Sequence, residues 1–155
     1  MFSKIFLLYS LFSFSVFSAQ SRGDHLLGNW LATDHSVAVG IYKSGSEYRA
    51  RILWFDADLG SGKPLHARVD HRNPRAELRK RKIIGMEILE GLVYNAKNQI
   101  WEGGKIYDAS SGKFWDSTAH LTADGLLKVR GFWKFTWMGK SLTFKRTNLT
   151  NFTKL

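Results

Sequence analysis

Trp101-Glu102-Gly103-Gly104-Lys105-Ile106-Tyr107-Asp108, continuing through Ser111-Gly112-Lys113 to Trp115, decides the fold. Its first eight residues read as one half of a β-hairpin. Asp108-Ala109-Ser110-Ser111-Gly112 reads as a polar turn, and Lys113 onward as the return strand. Two adjacent glycines inside a strand pattern predict a bulge or a close backbone approach.

The same pattern extends in both directions. Upstream, Val37, Val39 and Ile41 alternate with Ala38, Gly40 and Tyr42, the period-two signature of a strand. After a Ser44-Gly45-Ser46 turn, Glu47 to Phe55 forms the next strand. It has Tyr48, Ala50, Ile52 and Trp54 on one face and Arg49 and Arg51 on the other. Ile83 to Tyr94 is one strand or two short ones, and Asn95 to Asn98 is a turn. Downstream, Trp115, Ser117, Ala119 and Leu121 share a face, and Asp124-Gly125 is a strong hairpin signal. Leu126 to Met138 reads as a strand with Trp133, Phe135 and Trp137 alternating against Lys134 and Thr136. Ser141 to Arg146 reads as the last strand.

About eight or nine strands joined by hairpin turns, with almost no helical periodicity, define an all-β chain. A single antiparallel up-and-down barrel is favoured over a sandwich because closure removes exposed edges. Asp56 to Lys82 is the exception: an irregular stretch holding Pro64 and Pro74, with a short helical turn expected within Arg75 to Lys82. A loop this long in a compact domain is often functional.

The chain has 155 residues and a net charge of +10. Lys4 followed by the apolar, Ser-dotted Ile5 to Phe17 has the form of a cleavable signal peptide, with the cut after Ser18. That divides the chain into a leader, 1–18, a barrel domain, 24–147, and a flexible tail, 148–155. It also predicts an exported, periplasmic or secreted protein with no transmembrane segment after cleavage. Loss of Lys4 leaves a charge of +9, from 22 Lys and Arg against 13 Asp and Glu. An exported basic protein meets anionic envelope surfaces rather than nucleic acid. Without cysteine there is neither a disulfide nor a lipid acceptor, so the core alone must hold the domain together.

One ordered set of blocks carries a resemblance. It runs Gly28-Asn29-Trp30, Ile52-Leu53-Trp54, Asp70-His71-Arg72-Asn73-Pro74, Ile84-Gly85, the Trp101–Asp108 block with Ser111-Gly112-Lys113, Leu127 to Gly131, and Gly139 with Phe144-Lys145-Arg146. Together they resemble the secreted bacterial family catalogued as domain of unknown function 2147. The resemblance covers nearly the whole chain beyond the leader. It implies a lipocalin-like (calycin-like) barrel with no established activity. The chain departs from the family pattern at Ala109, where proline is usual, at Phe132-Trp133 and at Phe144. Resemblance to lipocalins further implies that Trp30 packs under Arg146 of the last strand, a cation–π contact closing the barrel.

The catalytic chemistries find little footing. There is no cysteine and no Gly-x-Ser-x-Gly elbow, and His120 falls on the outer face of its strand. His66, Asp70 and His71 lack a recognised ligand spacing, so neither metal nor cofactor is expected. Glu102 and Asp108 would form a carboxylate pair only if the Gly103-Gly104 bulge turned them to one side. The aromatic content fits either a barrel filled by its rings or a partly open cavity. Trp54, Trp101, Tyr107, Trp115 and Trp133 are its candidate walls, and Lys105 and Arg130 its candidate anchors for an acidic head group. Asp70 and Asn73 are candidates at the mouth, set against a purely local Asx-turn role. The leading expectation is a non-enzymatic module binding a small apolar or amphipathic anionic ligand, such as a lipid. Two alternatives stand beside it: docking on an anionic envelope surface through Arg72 to Lys82, and a hydrolase using the carboxylates of the Trp101–Asp108 block.

Overall fold

The computed structural model describes residues 22–59 and 62–148. The predicted leader and nearly all of the predicted tail lie outside them. Eight strands form one closed antiparallel barrel in which each pairs with its neighbours in sequence and the last returns to the first. They are β1 (Gly28–Ala32), β2 (Val37–Ser44), β3 (Glu47–Phe55), β4 (Glu87–Asn95), β5 (Ile100–Asp108), β6 (Lys113–Leu121), β7 (Leu127–Phe132) and β8 (Gly139–Arg146). Closure runs through Trp30 opposite Arg146 and Ala32 opposite Phe144.

The two glycines of the opening stretch do both things expected of them. Gly103 adopts φ +76°, and the β5–β6 register shifts between Trp101 and Gly104. The extra residue lets both Trp101 and Gly104 face inward. A Cβ on Gly104 would lie 2.5 Å from Ser117 Oγ and 2.7 Å from Leu92 Cδ2, so only glycine fits the wall there.

Successive connections alternate between the two ends of the barrel, and the ends differ. One is closed by a 3-10 turn, Arg22–Leu26, lying across it. Leu26, Trp30, Tyr48, Leu92, Trp101 and Leu127 are buried there in the main core cluster. Trp101 Nε1 donates to Gly23 O at 3.1 Å and Trp30 Nε1 to Leu26 O at 2.9 Å. Tyr48 Oη donates to Asp24 Oδ1 at 2.6 Å. The Arg146 guanidinium lies 4.4 Å from the centre of the Trp30 ring and donates to Leu27 O and His25 O at 2.8 and 2.6 Å.

Two strand expectations need correction. The Glu47–Phe55 alternation breaks at Leu53, because β2 and β3 pair Val39 with Ile52 but Ala38 with Trp54. One extra residue reverses the facing of everything after it. Phe55 is therefore buried, and Trp54 lies on the side opposite Val39 and Ile52. The second concerns Leu126 to Met138, which is not one strand. β7 ends at Phe132, and Trp133 to Met138 is a folded connection with Lys134 at φ +59°. Its amides bond within the turn, Trp133 N to Met138 O at 3.2 Å and Met138 N to Phe135 O at 2.9 Å, so no ladder is left to continue.

The long connection from Asp56 to Met86 packs over the rim and the outer wall. It contains two one-turn 3-10 helices, Leu65–Ala67 and Ala76–Leu78, and a bridge between Val69 and Lys82. Arg68, a residue that sequence reasoning passed over, pins it. Arg68 is buried, lies over the Phe55 ring at 5.1 Å, and donates to the carbonyls of Lys63, Leu59 and Ala57.

Candidate binding cavity

The end opposite the 3-10 turn is open. A cavity of about 730 Å³ runs into the barrel there. Its walls are the inward faces of β2 (Val37, Val39, Ile41), β4 (Leu89), β5 (Ile106), β6 (Trp115), β7 (Val129) and β8 (Leu142, Phe144). The period-two pattern accounts for this lining: apolar residues at every second position meet at the centre of a small barrel. Leu142 is 44% exposed although its strand alternation points it inward, so the wall around it is open to solvent. Polar side chains at the cavity are Asp108 and Lys140, both near the open end, while Ser141 between Lys140 and Leu142 turns its hydroxyl outward.

Asp108 is held by its own turn. It accepts from Ser110 Oγ and Ser111 Oγ at 2.6 Å and from Ser110 N at 2.9 Å. Burial pushes its carboxyl up, but these donors outweigh burial and hold it below the ordinary value. A carboxylate already satisfied this way is poorly suited to proton transfer. Among the described residues, Lys140, opposite Gly131, is the cation lining the cavity. Sequence reasoning missed it because the expected strand ran through to Met138. Only the true turn at 133–138 sets the phase of β8.

The candidate residues fall into three groups. Trp115 lines the cavity, and Trp133 sits half-exposed on the rim, edge-on to it at 6.1 Å. Trp101 belongs to the closed end, 2% exposed, with Tyr94 at 4.9 Å, and is a plug rather than a wall of the cavity. The rest point outward. Lys105 is exposed and paired with Asp116. Arg130 follows inward Val129, so it faces out, where it donates to Thr136 O and to Ser141 Oγ. Trp54 is outside for the reason given above.

Tyr107, Asp70 and Asn73 form a knot outside the barrel wall, beneath the long connection. Tyr107 alternates with inward Ile106, so it lies on the outer face. It is 5% exposed and belongs to a second apolar cluster, with Ile52, Phe55 and Met86, beneath the long connection. Asp70, fully buried, accepts from Tyr107 Oη at 2.6 Å, Asn73 Nδ2 at 2.7 Å and Arg81 Nη2 at 2.9 Å. Asn73 Oδ1 accepts from Arg75 N at 2.9 Å. The Asp-His-Arg-Asn-Pro stretch is thus a fastening for the loop, with neither oxygen of Asp70 turned to the cavity. Burial, then the hydrogen bond and charge of Asp70, push the Tyr107 hydroxyl up to about 12.

The carboxylates considered for hydrolysis are not brought together. Glu102 and Asp108 lie six residues apart on β5, about 20 Å along an extended strand. Glycosidase carboxylates stand roughly 5–10 Å apart. Glu102 instead accepts from Asn95 Nδ2 at 2.7 Å. His66 and His71 are exposed, and Asp70 between them is fully engaged.

A closed eight-stranded antiparallel barrel, plugged at one end and hollow at the other, defines a lipocalin-like protein. A solved structure agrees: protein HP1028 from the human pathogen Helicobacter pylori, described as belonging to the lipocalin family. It superposes with a TM-score of 0.67 over 83% of this chain and 87% of its own, at 23% identity. At that identity the likeness concerns the fold alone. The chain itself belongs to the family described as uncharacterized proteins conserved in bacteria, domain of unknown function 2147, which matches residues 28–146. No curated protein matches it.

Proposed function

We propose that this protein is exported and binds a small apolar or amphipathic anionic molecule inside its barrel, without turning it over. The cavity carries this reading. Its volume of about 730 Å³ falls in the roughly 300–1,000 Å³ span usual for ligand sites. Its lining is apolar in depth, with Lys140 near the opening, an arrangement suited to a hydrocarbon body with an acidic head. The form of residues 1–18 supports export.

The alternatives draw less support. Docking through Arg72 to Lys82 would rest mainly on the exposed Lys80 and Lys82, because three of the run's arginines are engaged. Arg72 donates to Ser110 O, Arg79 to Asn73 O and Arg81 to Asp70, all within the protein. A hydrolase needs paired carboxylates, and Glu102 and Asp108 lie far apart on β5.

Native mass spectrometry of the protein released gently from its host tests the reading. A discrete extra mass, lost on solvent extraction, is expected. Leu142→Trp should fill the cavity and weaken binding of an apolar fluorescent probe about tenfold or more, with the fold retained. Unchanged probe binding in that variant would place the ligand elsewhere.

A further inference from the structure

We propose that the β7–β8 connection, Trp133 to Met138, is a membrane-docking tip that seats the open end of the barrel on a bilayer bearing anionic headgroups. Among the described residues, eight large apolar side chains are exposed, and four of them fall within these six positions. Trp133 is 50% exposed, Phe135 56%, Trp137 74% and Met138 46%. An apolar cluster left in water at one place marks a contact surface. Phe135 and Trp137 lie parallel, 5.9 Å apart, so they present one flat apolar face rather than scattered rings.

Three further features select a bilayer as the occupant. First, the composition is that of an interfacial anchor: tryptophan and phenylalanine beside lysine, the pairing that settles at the headgroup level. Second, the tip itself carries charge of one sign, and Asp108, the acid at the same opening, is held by Ser110 and Ser111. No Asp or Glu follows Asp124 in the sequence, and Lys134 lies within the tip with Lys140 just beyond it. The nearest acid across the sheet, Asp116 opposite Phe132, is paired with Lys105. Such cations are complementary to anionic lipid. Third, half of the tip's backbone amides are satisfied within it. The amides of Trp133, Phe135 and Met138 donate to carbonyls of the same turn, and Arg130 Nε donates to Thr136 O. Leaving water with those groups paired costs far less than leaving with them bare. The surface is distinct from the Arg72–Lys82 run, and the inference stands whether or not the cavity is occupied.

The full chain, as its host produces it, would be sedimented with vesicles of phosphatidylcholine alone and of phosphatidylcholine with phosphatidylglycerol, while following tryptophan emission. Binding to the anionic vesicles with a blue shift, weakened by salt, is expected. The double variant Phe135→Ser/Trp137→Ser should lose about tenfold or more in vesicle affinity. Lys134→Glu should lose several-fold on anionic vesicles only. Circular dichroism and apolar-probe binding in the cavity should be unchanged in both, which separates this inference from the ligand reading. Vesicle binding equal to that of the parent in the double variant would overturn it. So would absence of vesicle binding, whether the protein stays monomeric or forms a dimer that the double variant abolishes; the dimer would show that the tip covers a second copy.

Discussion

Trp30 and Trp101 at one end of the barrel and Trp133 and Trp137 at the other are the same residue put to opposite uses. At the closed end each indole is buried and its N–H meets a backbone carbonyl. At the open end the rings stand half or more in water. The difference lies in what covers each end. The 3-10 turn Arg22–Leu26, tied by Asp24 to Tyr48 and by its carbonyls to Trp101, Trp30 and Arg146, lies over the first pair. At the other end the long connection is fastened to the outer wall by Asp70 and Arg68, leaving the hollow open. Aromatic richness therefore reports neither a solid core nor a pocket. This barrel has a plug and a cavity stacked along one axis.

Three measurements would break or sharpen that contrast. Trp101→Ala should have the largest effect, a loss of about 3–5 kcal/mol in urea unfolding, because it empties a filled site and strands the Gly23 carbonyl. A loss below about 1 kcal/mol would mean that the closed end is not the stabilising one.

Tyr107→Phe comes next, at about 1–2 kcal/mol near neutral pH, since Asp70 then lacks one of its three donors. Its pH dependence is more diagnostic. The hydroxyl is pushed up to about 12 in the folded protein from the ordinary tyrosine value of 10.0, so the folded state holds its proton more tightly. That contribution is complete below pH 10 and is lost as pH rises from 10 toward 12. Tyr42, whose hydroxyl donates to Glu87, is pushed up as well, by burial and by that carboxylate, and contributes with the same sign. The parent should therefore weaken across that range more steeply than Tyr107→Phe. Equal slopes would mean that Tyr107 is not buried against Asp70.

Trp137→Ser should have the smallest effect on stability, within about 0.5 kcal/mol, since the ring packs mainly on Phe135 and faces water. A cost near that of Trp101→Ala would erase the distinction between the ends.

Much of the fold was legible because its signals are local. Asp124-Gly125 turns between β6 and β7, Glu47–Phe55 is β3 to the residue, and the Gly103-Gly104 pair is a bulge. The site was less legible because facing depends on register, and register depends on bulges. One extra residue at Leu53 sent Trp54 outward. The folded turn at 133–138 moved three aromatics from a strand to a tip and brought Lys140 to the cavity in place of Lys105 and Arg130. In a strand, a shift of one residue exchanges inside for outside. No single-chain pattern contains the partner strand that decides it.

By itself, then, the sequence determined an all-β antiparallel chain and favoured a barrel over a sandwich: period-two alternation, turn residues at regular spacing and the absence of a helical stripe are properties of neighbours along the chain, whereas closure of β8 on β1 is not. Which aromatics plug, which line and which project, and that Asp70 ties down a loop, were decided by tertiary structure alone. Those outcomes depend on contacts between residues far apart in sequence, Asp70 with Tyr107 and Trp101 with Gly23 among them, which exist only once the barrel has closed.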